Sequence, residues 1–119
     1  MKLEVKSVNG FNMAEVISEE IVINETQDAL DIMADAGNMD ASRIIIHERN
    51  IVPDFFNLST GIAGEILQKF STYSCKLAII GDFSKFTSKS LKDFIYESNK
   101  HGQINFVNSA EQALQCLSK

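Results

Sequence analysis

The 119 residues carry 45% apolar and 23% charged side chains, close to globular averages, so a folded domain is expected and a disordered chain is not. A formal net charge of −5 argues against nucleic-acid binding, which draws its affinity from clustered Lys and Arg. No apolar run approaches the roughly 20 residues of a membrane span, and the first residues alternate instead of forming a signal-peptide core. The expectation is a cytoplasmic protein without membrane association, organised as one domain over residues 1–119.

The first element is a hairpin. "KLEVKSV" alternates polar and apolar residues, "FNMAEVI" answers it, and Asn9-Gly10 between them is the dipeptide favoured by type I′ turns. "NETQDALDIMADAG" predicts a helix, with Asn24 and Gln27 at capping-box spacing, Ala29, Leu30, Met33 and Ala36 on one stripe, and Gly37 as its stop. "RIIIHE" fits a buried strand. After an irregular stretch containing Pro53, residues Ile62, Ile66, Leu67, Phe70 and Tyr73 recur at helical spacing, with Ser59 or Thr60 placed to cap.

"CKLAII" predicts the fourth strand, running into Gly81-Asp82. A third helix carries Leu91, Phe94 and Ile95 inward, capped by Thr87 or Ser88 and ended by Gly102. "INFV" is a fifth strand, and "SAEQALQCL" a last helix capped by Ser109. The order β-β-α-β-α-β-α-β-α defines an α/β fold: a five-stranded, mostly parallel sheet with an amino-terminal antiparallel hairpin. Winding in one direction places all helices on one face, and a reversal places them on both. The continuous runs "RIIIH" and "LAII" favour cover on both faces, or burial of one in a dimer.

Candidate chemistry gathers where parallel strands end, since ligands bind at the carboxyl edge of such sheets. Ser59, Thr60 and Gly61 form a candidate phosphorylation or partner site, and Asp82, Phe83, Lys85, Thr87 and Ser88 a candidate carboxyl-edge surface. Each set also has a plain reading, as cap and turn residues. "GDFSKFTSKS" lacks the Gly-Lys-Ser/Thr ending of a phosphate-binding loop, and "GIAGE" lacks the dinucleotide glycine spacing. His47 with Ser59 and Asp82 would make a nominal triad, but no nucleophile elbow is present. Phe55, Phe56, Phe83 and Phe86 either pack over the strand ends or form an exposed apolar patch. Cys75 and Cys116 look like core residues, and no ligand-spaced cluster calls for a metal or other cofactor.

The element order resembles the sulfate-transporter and anti-sigma-factor-antagonist (STAS) domain, in which a D-S-[ST]-G-[LI] motif opens the helix after the third strand. "LSTGIAG" lies at the corresponding place, with Ser59 at the phosphorylated position and Leu58 where that family has its aspartate. The stretches "FFNLSTGIAGEILQKF" and "LAIIGDFSKFTSKSLKDFIYESNK" are similar to domain of unknown function 4180, a family of uncharacterised bacterial proteins. The first likeness implies a non-catalytic regulatory or protein-interaction module, partnered by another protein or by itself as a homodimer. The second implies the fold and a bacterial cytoplasmic setting, and brings no activity. The alternative function is a binder of a phosphorylated or acidic metabolite, or an enzyme, using a carboxyl-edge pocket.

Overall fold

The Asn9-Gly10 turn sets the first register. In the computed structural model, which describes residues 1–119, both turn residues have positive φ, 52° and 82°, as a type I′ turn requires. The turn joins β1 (Lys2–Val8) to β2 (Phe11–Ile17) as an antiparallel pair in which Val8 faces Phe11 and Lys2 faces Ile17. Three further strands, β3 (Arg43–His47), β4 (Lys76–Ile80) and β5 (Ile104–Val107), add in parallel, giving the order β1-β2-β3-β4-β5. The predicted α/β topology is therefore borne out.

The helices connecting these strands are α1 (Thr26–Gly37), α2 (Ile62–Thr72) and α3 (Lys89–His101), and α4 (Ala110–Leu117) follows β5. Because β2 to β5 step across the sheet in one direction, right-handed crossovers place α1, α2 and α3 on the same face. There Ala14, Val16, Ile44, Ile46, Leu77, Ile79, Ile104 and Phe106 meet Ile32 and Met33 of α1, Ile66 and Phe70 of α2, and Leu91 of α3. Alternation sends Met13, Ile45, Ala78 and Val107 to the opposite face, where Ala113 and Leu117 of α4 close a smaller second core. α4 crosses to the other side of the sheet and packs there. Single-direction winding and cover on both faces thus coexist, and the buried runs in β3 and β4 are satisfied.

Local chemistry shifts two predicted boundaries. The α1 cap sits one residue later than the Asn24–Gln27 spacing suggests. Asp28 Oδ2 accepts from the backbone N–H groups of Asn24 (2.8 Å) and Glu25 (3.2 Å), while Gln27 reaches forward to Asp31. Gly37 stays inside the helix, and the chain reverses at Asp40, whose φ is 58°. Ser88, Ser109 and Gly102 cap as expected, with Ser88 Oγ accepting from the Leu91 N–H and Ser109 Oγ from the Gln112 N–H. Cys75 is buried, which pushes its thiol up, and Cys116 packs against the second core. No helix is long and apolar enough to cross a membrane.

One buried polar residue organises the irregular stretch after β3. Asn50 is fully buried, and its Nδ2 donates to the carbonyls of Ser18 (2.9 Å) and Glu20 (2.8 Å). Its backbone carbonyl accepts from the N–H groups of Val22 (2.8 Å) and Ile23 (3.0 Å), and Ile23 bridges in parallel to Ile51. The side chain thus pins the β2–α1 connection against the segment leaving β3. Replacing Asn50 with Ala leaves two carbonyls without a donor, so Asn50→Ala should lower unfolding free energy by about 1–3 kcal/mol in urea titration, with the slope unchanged.

Candidate functional site

All four parallel strands end at one edge, and two of the loops there are shaped by the same short polar device. After β4, Gly81 and Asp82 lead into a 3-10 turn at Phe83–Lys85. Asp82 Oδ1 accepts from the backbone N–H (3.1 Å) and the hydroxyl (2.5 Å) of Ser84. Those hydrogen bonds, the hydroxyl's first, hold the Asp82 carboxyl below its ordinary value. Its acceptor atom is occupied in shaping the turn.

The loop carrying Ser59 repeats the same device. Asn57 Oδ1 accepts from the Ser59 N–H (3.2 Å) and hydroxyl (2.7 Å), again opening a 3-10 turn, here Leu58–Thr60. Thr60 Oγ1 donates toward the carbonyls of Asp54 (2.8 Å) and Asn57 (2.9 Å), and accepts from the Ile62 N–H at 3.3 Å. The position flanking α2 is Gly61, with φ 79°, a conformation that glycine adopts without strain. This corrects the expectation that Ser59 caps α2: it lies in the preceding turn, and only the Thr60 hydroxyl reaches a first-turn N–H. Ser59, Thr60 and Gly61 are all exposed.

The four loop phenylalanines pack together. Phe55 is buried against Phe56, with centroids 4.9 Å apart edge-on. Phe56 stacks on Phe86 at 5.0 Å and lies 6.0 Å from Phe83, which meets Phe106 of β5 edge-on at 5.2 Å. The cluster joins the segment leaving β3 to the segment leaving β4. Beside it opens a cleft of about 320 Å³, with Ile51, Pro53, Phe56 and Phe86 as apolar wall and Glu48, Arg49 and Lys85 as charged lining. Lys85 Nζ pairs with Glu48 Oε2 at 2.5 Å, and Arg49 is exposed and makes no ion pair.

Of the predicted surface, then, Phe83 and Lys85 take part in this rim. Asp82 supports it from the turn, Ser88 caps α3, and Thr87 is exposed without a capping bond. No hydrogen bond or ion pair joins Ser59–Gly61 to Asp82–Ser88; the two segments share the edge and are linked through Phe56. Glu48 and Arg49 are not among the predicted site residues, although the rule that selects Asp82 after β4 selects them after β3.

The nominal triad does not assemble. His47 Nε2 faces Glu15 Oε2 at 3.4 Å on the α4 side of the sheet, Ser59 is held by Asn57, and Asp82 by Ser84. Glu15 also accepts from Lys6 Nζ at 2.8 Å. Burial alone pushes the Glu15 carboxyl up, but the hydrogen bonds and charges of Lys6 and His47 outweigh it and hold it below the usual range. No three His, Cys, Asp or Glu side chains gather closely enough to hold a metal ion.

Fold and rim together define a singly wound α/β domain with a part-apolar, part-charged cleft at the carboxyl edge of its sheet. A family model described as "Domain of unknown function (DUF4180)" matches residues 8–117, and the chain belongs to that family. No curated protein and no solved structure gives a significant match.

Two tests follow from the geometry. A Cβ on Gly81 would lie 2.7 Å from Glu48 Oε1 and 2.8 Å from Glu48 Cβ, so Gly81→Ala should force the two exits apart and cost about 1–3 kcal/mol by thermal unfolding. Glu15 has a depressed folded-state pKa, so its contribution is complete above the unfolded carboxyl value and fades as pH falls through the folded one. Wild type should exceed Glu15→Gln by about 1 kcal/mol or less at neutral pH, given the exposure of Lys6. That difference should close below about pH 4, and one unchanged on acidification would contradict the assignment.

Proposed function

We propose that this protein is a non-catalytic regulatory or interaction module whose partner docks on the carboxyl rim. The observation that carries this reading is half-buried Phe86, stacked on buried Phe56 at the wall of the cleft and accompanied there by Arg49 and Lys85. A partner presenting an apolar side chain beside a carboxylate matches that chemistry. Its apolar part covers Pro53 and the accessible part of Phe86, and its acid meets the unpaired Arg49.

Phosphorylation at Ser59 would act as the switch. The hydroxyl is exposed and bonded only to Asn57, so modification would sacrifice one local hydrogen bond and leave the core intact. A phosphate adds about −1.5 to −2 charges to the same rim and would repel an acidic partner. The likeness of "LSTGIAG" to the STAS motif supports Ser59 as the modified residue, and a bacterial cytoplasmic setting belongs to the same proposal.

A second reading, favoured by the cleft itself, is a small phosphorylated or acidic metabolite bound against Arg49 and Lys85. The two readings separate experimentally. For a protein partner, Ser59→Asp and Arg49→Glu should each lower recovery of the same host protein at least about tenfold, the loss of roughly one charge-assisted contact, while Ser59→Ala retains it. For a metabolite, phosphorylated compounds should raise the melting temperature of wild type and Ser59→Asp alike, and fail with Arg49→Glu. Equal recovery by all variants, with no thermal shift, would remove the rim as a binding surface.

A further inference from the structure

The sheet has one long edge with nothing beyond it. β1 is its first strand, seven residues long, and no element pairs with its outer side. The hairpin fixes which backbone groups point outward. Asn9 and Gly10 form a two-residue turn, so Val8 and Phe11 are the hydrogen-bonded closing pair. Alternation then turns the N–H and C=O groups of Lys2, Glu4, Lys6 and Val8 toward β2. Those of Leu3, Val5 and Ser7 face outward.

An edge of this kind is normally protected by lysines projecting past it. Here Lys6 is drawn inward across the sheet face to Glu15 of β2 (2.8 Å). Val5 at the centre of the strand is 37% exposed, and Ile17 of β2 is 39% exposed. Glu4 lies directly opposite Glu15, a like-charge pair, with only Lys2 at 3.5 Å to offset it.

We propose that β1 pairs antiparallel with β1 of a second copy of this chain, on a twofold axis through Val5, joining two sheets into one of ten strands. In that register Val5 faces Val5 of the partner subunit, Leu3 faces Ser7 of the partner subunit, and Glu4 faces Lys6 of the partner subunit. Three observations select it. It is the register in which all seven residues overlap. It matches outward-facing residues only with outward-facing residues, so the ladder closes. It also places Glu4 of each copy opposite Lys6 of the other, twice over, so that the register opposes unlike charges where Lys6 already serves Glu15. Sliding by two residues one way puts Glu4 opposite Glu4 and Lys2 opposite Lys6, and sliding the other way puts Lys6 opposite Lys6. Both oppose like charges, so the pattern selects one register and one occupant, a second copy. The proposal is independent of the rim reading, because it uses neither the cleft nor Ser59.

The test combines mass and cross-linking on the full chain. Light scattering at tens of micromolar should give twice the 13.2 kDa chain mass, since a strand-edge interface is small and its affinity modest. Val5→Cys should oxidise to a covalent dimer, because facing hydrogen-bonded residues lie ~5.5 Å apart at Cα, within disulfide reach. Ser7→Cys, which faces Leu3 of the partner subunit, should not, and wild type with Cys75 and Cys116 serves as the background. Glu4→Lys, a change at an exposed side chain that replaces the like-charge pair with Glu15 by an opposite-charge one, should weaken association at least tenfold at low salt while the monomer melts no lower than wild type. A monomer at that concentration, equal cross-linking by the two cysteine variants, or a dimer indifferent to Glu4→Lys would each overturn the proposal.

Discussion

The constraint on which the rest of this structure depends is the handedness of its crossovers. Four parallel strands stepping in one direction oblige α1, α2 and α3 to share a face, and that face takes the larger core. The opposite face would then be bare over Met13, Ile45, Ala78 and Val107. A helix of eight residues, α4, is what covers it, and it reaches only part of the sheet, packing on β4 and β5. Towards β2 the cover is completed by Arg43, which lies 4.0 Å over the Phe11 ring. Beyond them the sheet face is polar, and Glu15 occupies it between Lys6 (2.8 Å) and His47 (3.4 Å). The ionic cluster is therefore a consequence of where α4 stops.

The same winding assembles the rim. Strand ends that point the same way deliver their exit loops to one edge, and the loops leaving β2, β3 and β4 lead to helices on the α1–α3 face. Asn57-Leu58-Ser59 and Asp82-Phe83-Ser84 shape their turns identically, with an acceptor side chain holding the N–H and hydroxyl of a serine two residues on. Turn geometry explains why both loops are rich in hydroxyls. It also explains why the residue between acceptor and serine is apolar in both cases: Leu58 and Phe83 pack against the core. The hydroxyl clusters are turn-makers first, and whatever surface they offer is built on that role.

Much of this was legible in the residues. Asn9-Gly10, the β-branched runs and the caps at Ser88, Ser109 and Gly102 are local signals whose physics acts within a few positions, and they placed the elements correctly. What was not legible depends on contacts distant in sequence. The face taken by α4 is decided by which side the crossovers leave uncovered, and no property of "SAEQALQCL" encodes it. Asp28 displaced the expected Asn24 cap because its carboxylate reaches two N–H groups at once, a matter of ångströms that residue spacing does not resolve. Ser59 stood at a helix start by spacing, but the positive φ of Gly61 inserts a separate turn ahead of α2. Glu48 and Arg49 leave β3 under the same edge rule that selects Asp82 after β4, but charged residues at a strand end are common enough on a surface that residue type alone does not single them out.

The strand edge and the rim are related by geometry. β1 runs antiparallel to β2, so a twofold axis through Val5 would reverse the direction of every strand in the second copy. The two carboxyl rims would then point toward opposite ends of the joined sheet, each unobstructed by the other. Such an assembly could hold two partners at once without contact between them, and a charge added at Ser59 of one copy would act on its own rim, well beyond a Debye length of ~8 Å from the other. Edge pairing would on this proposal supply valency rather than cooperativity: two rims facing opposite ends of one sheet would each meet a partner, and each would respond to its own Ser59.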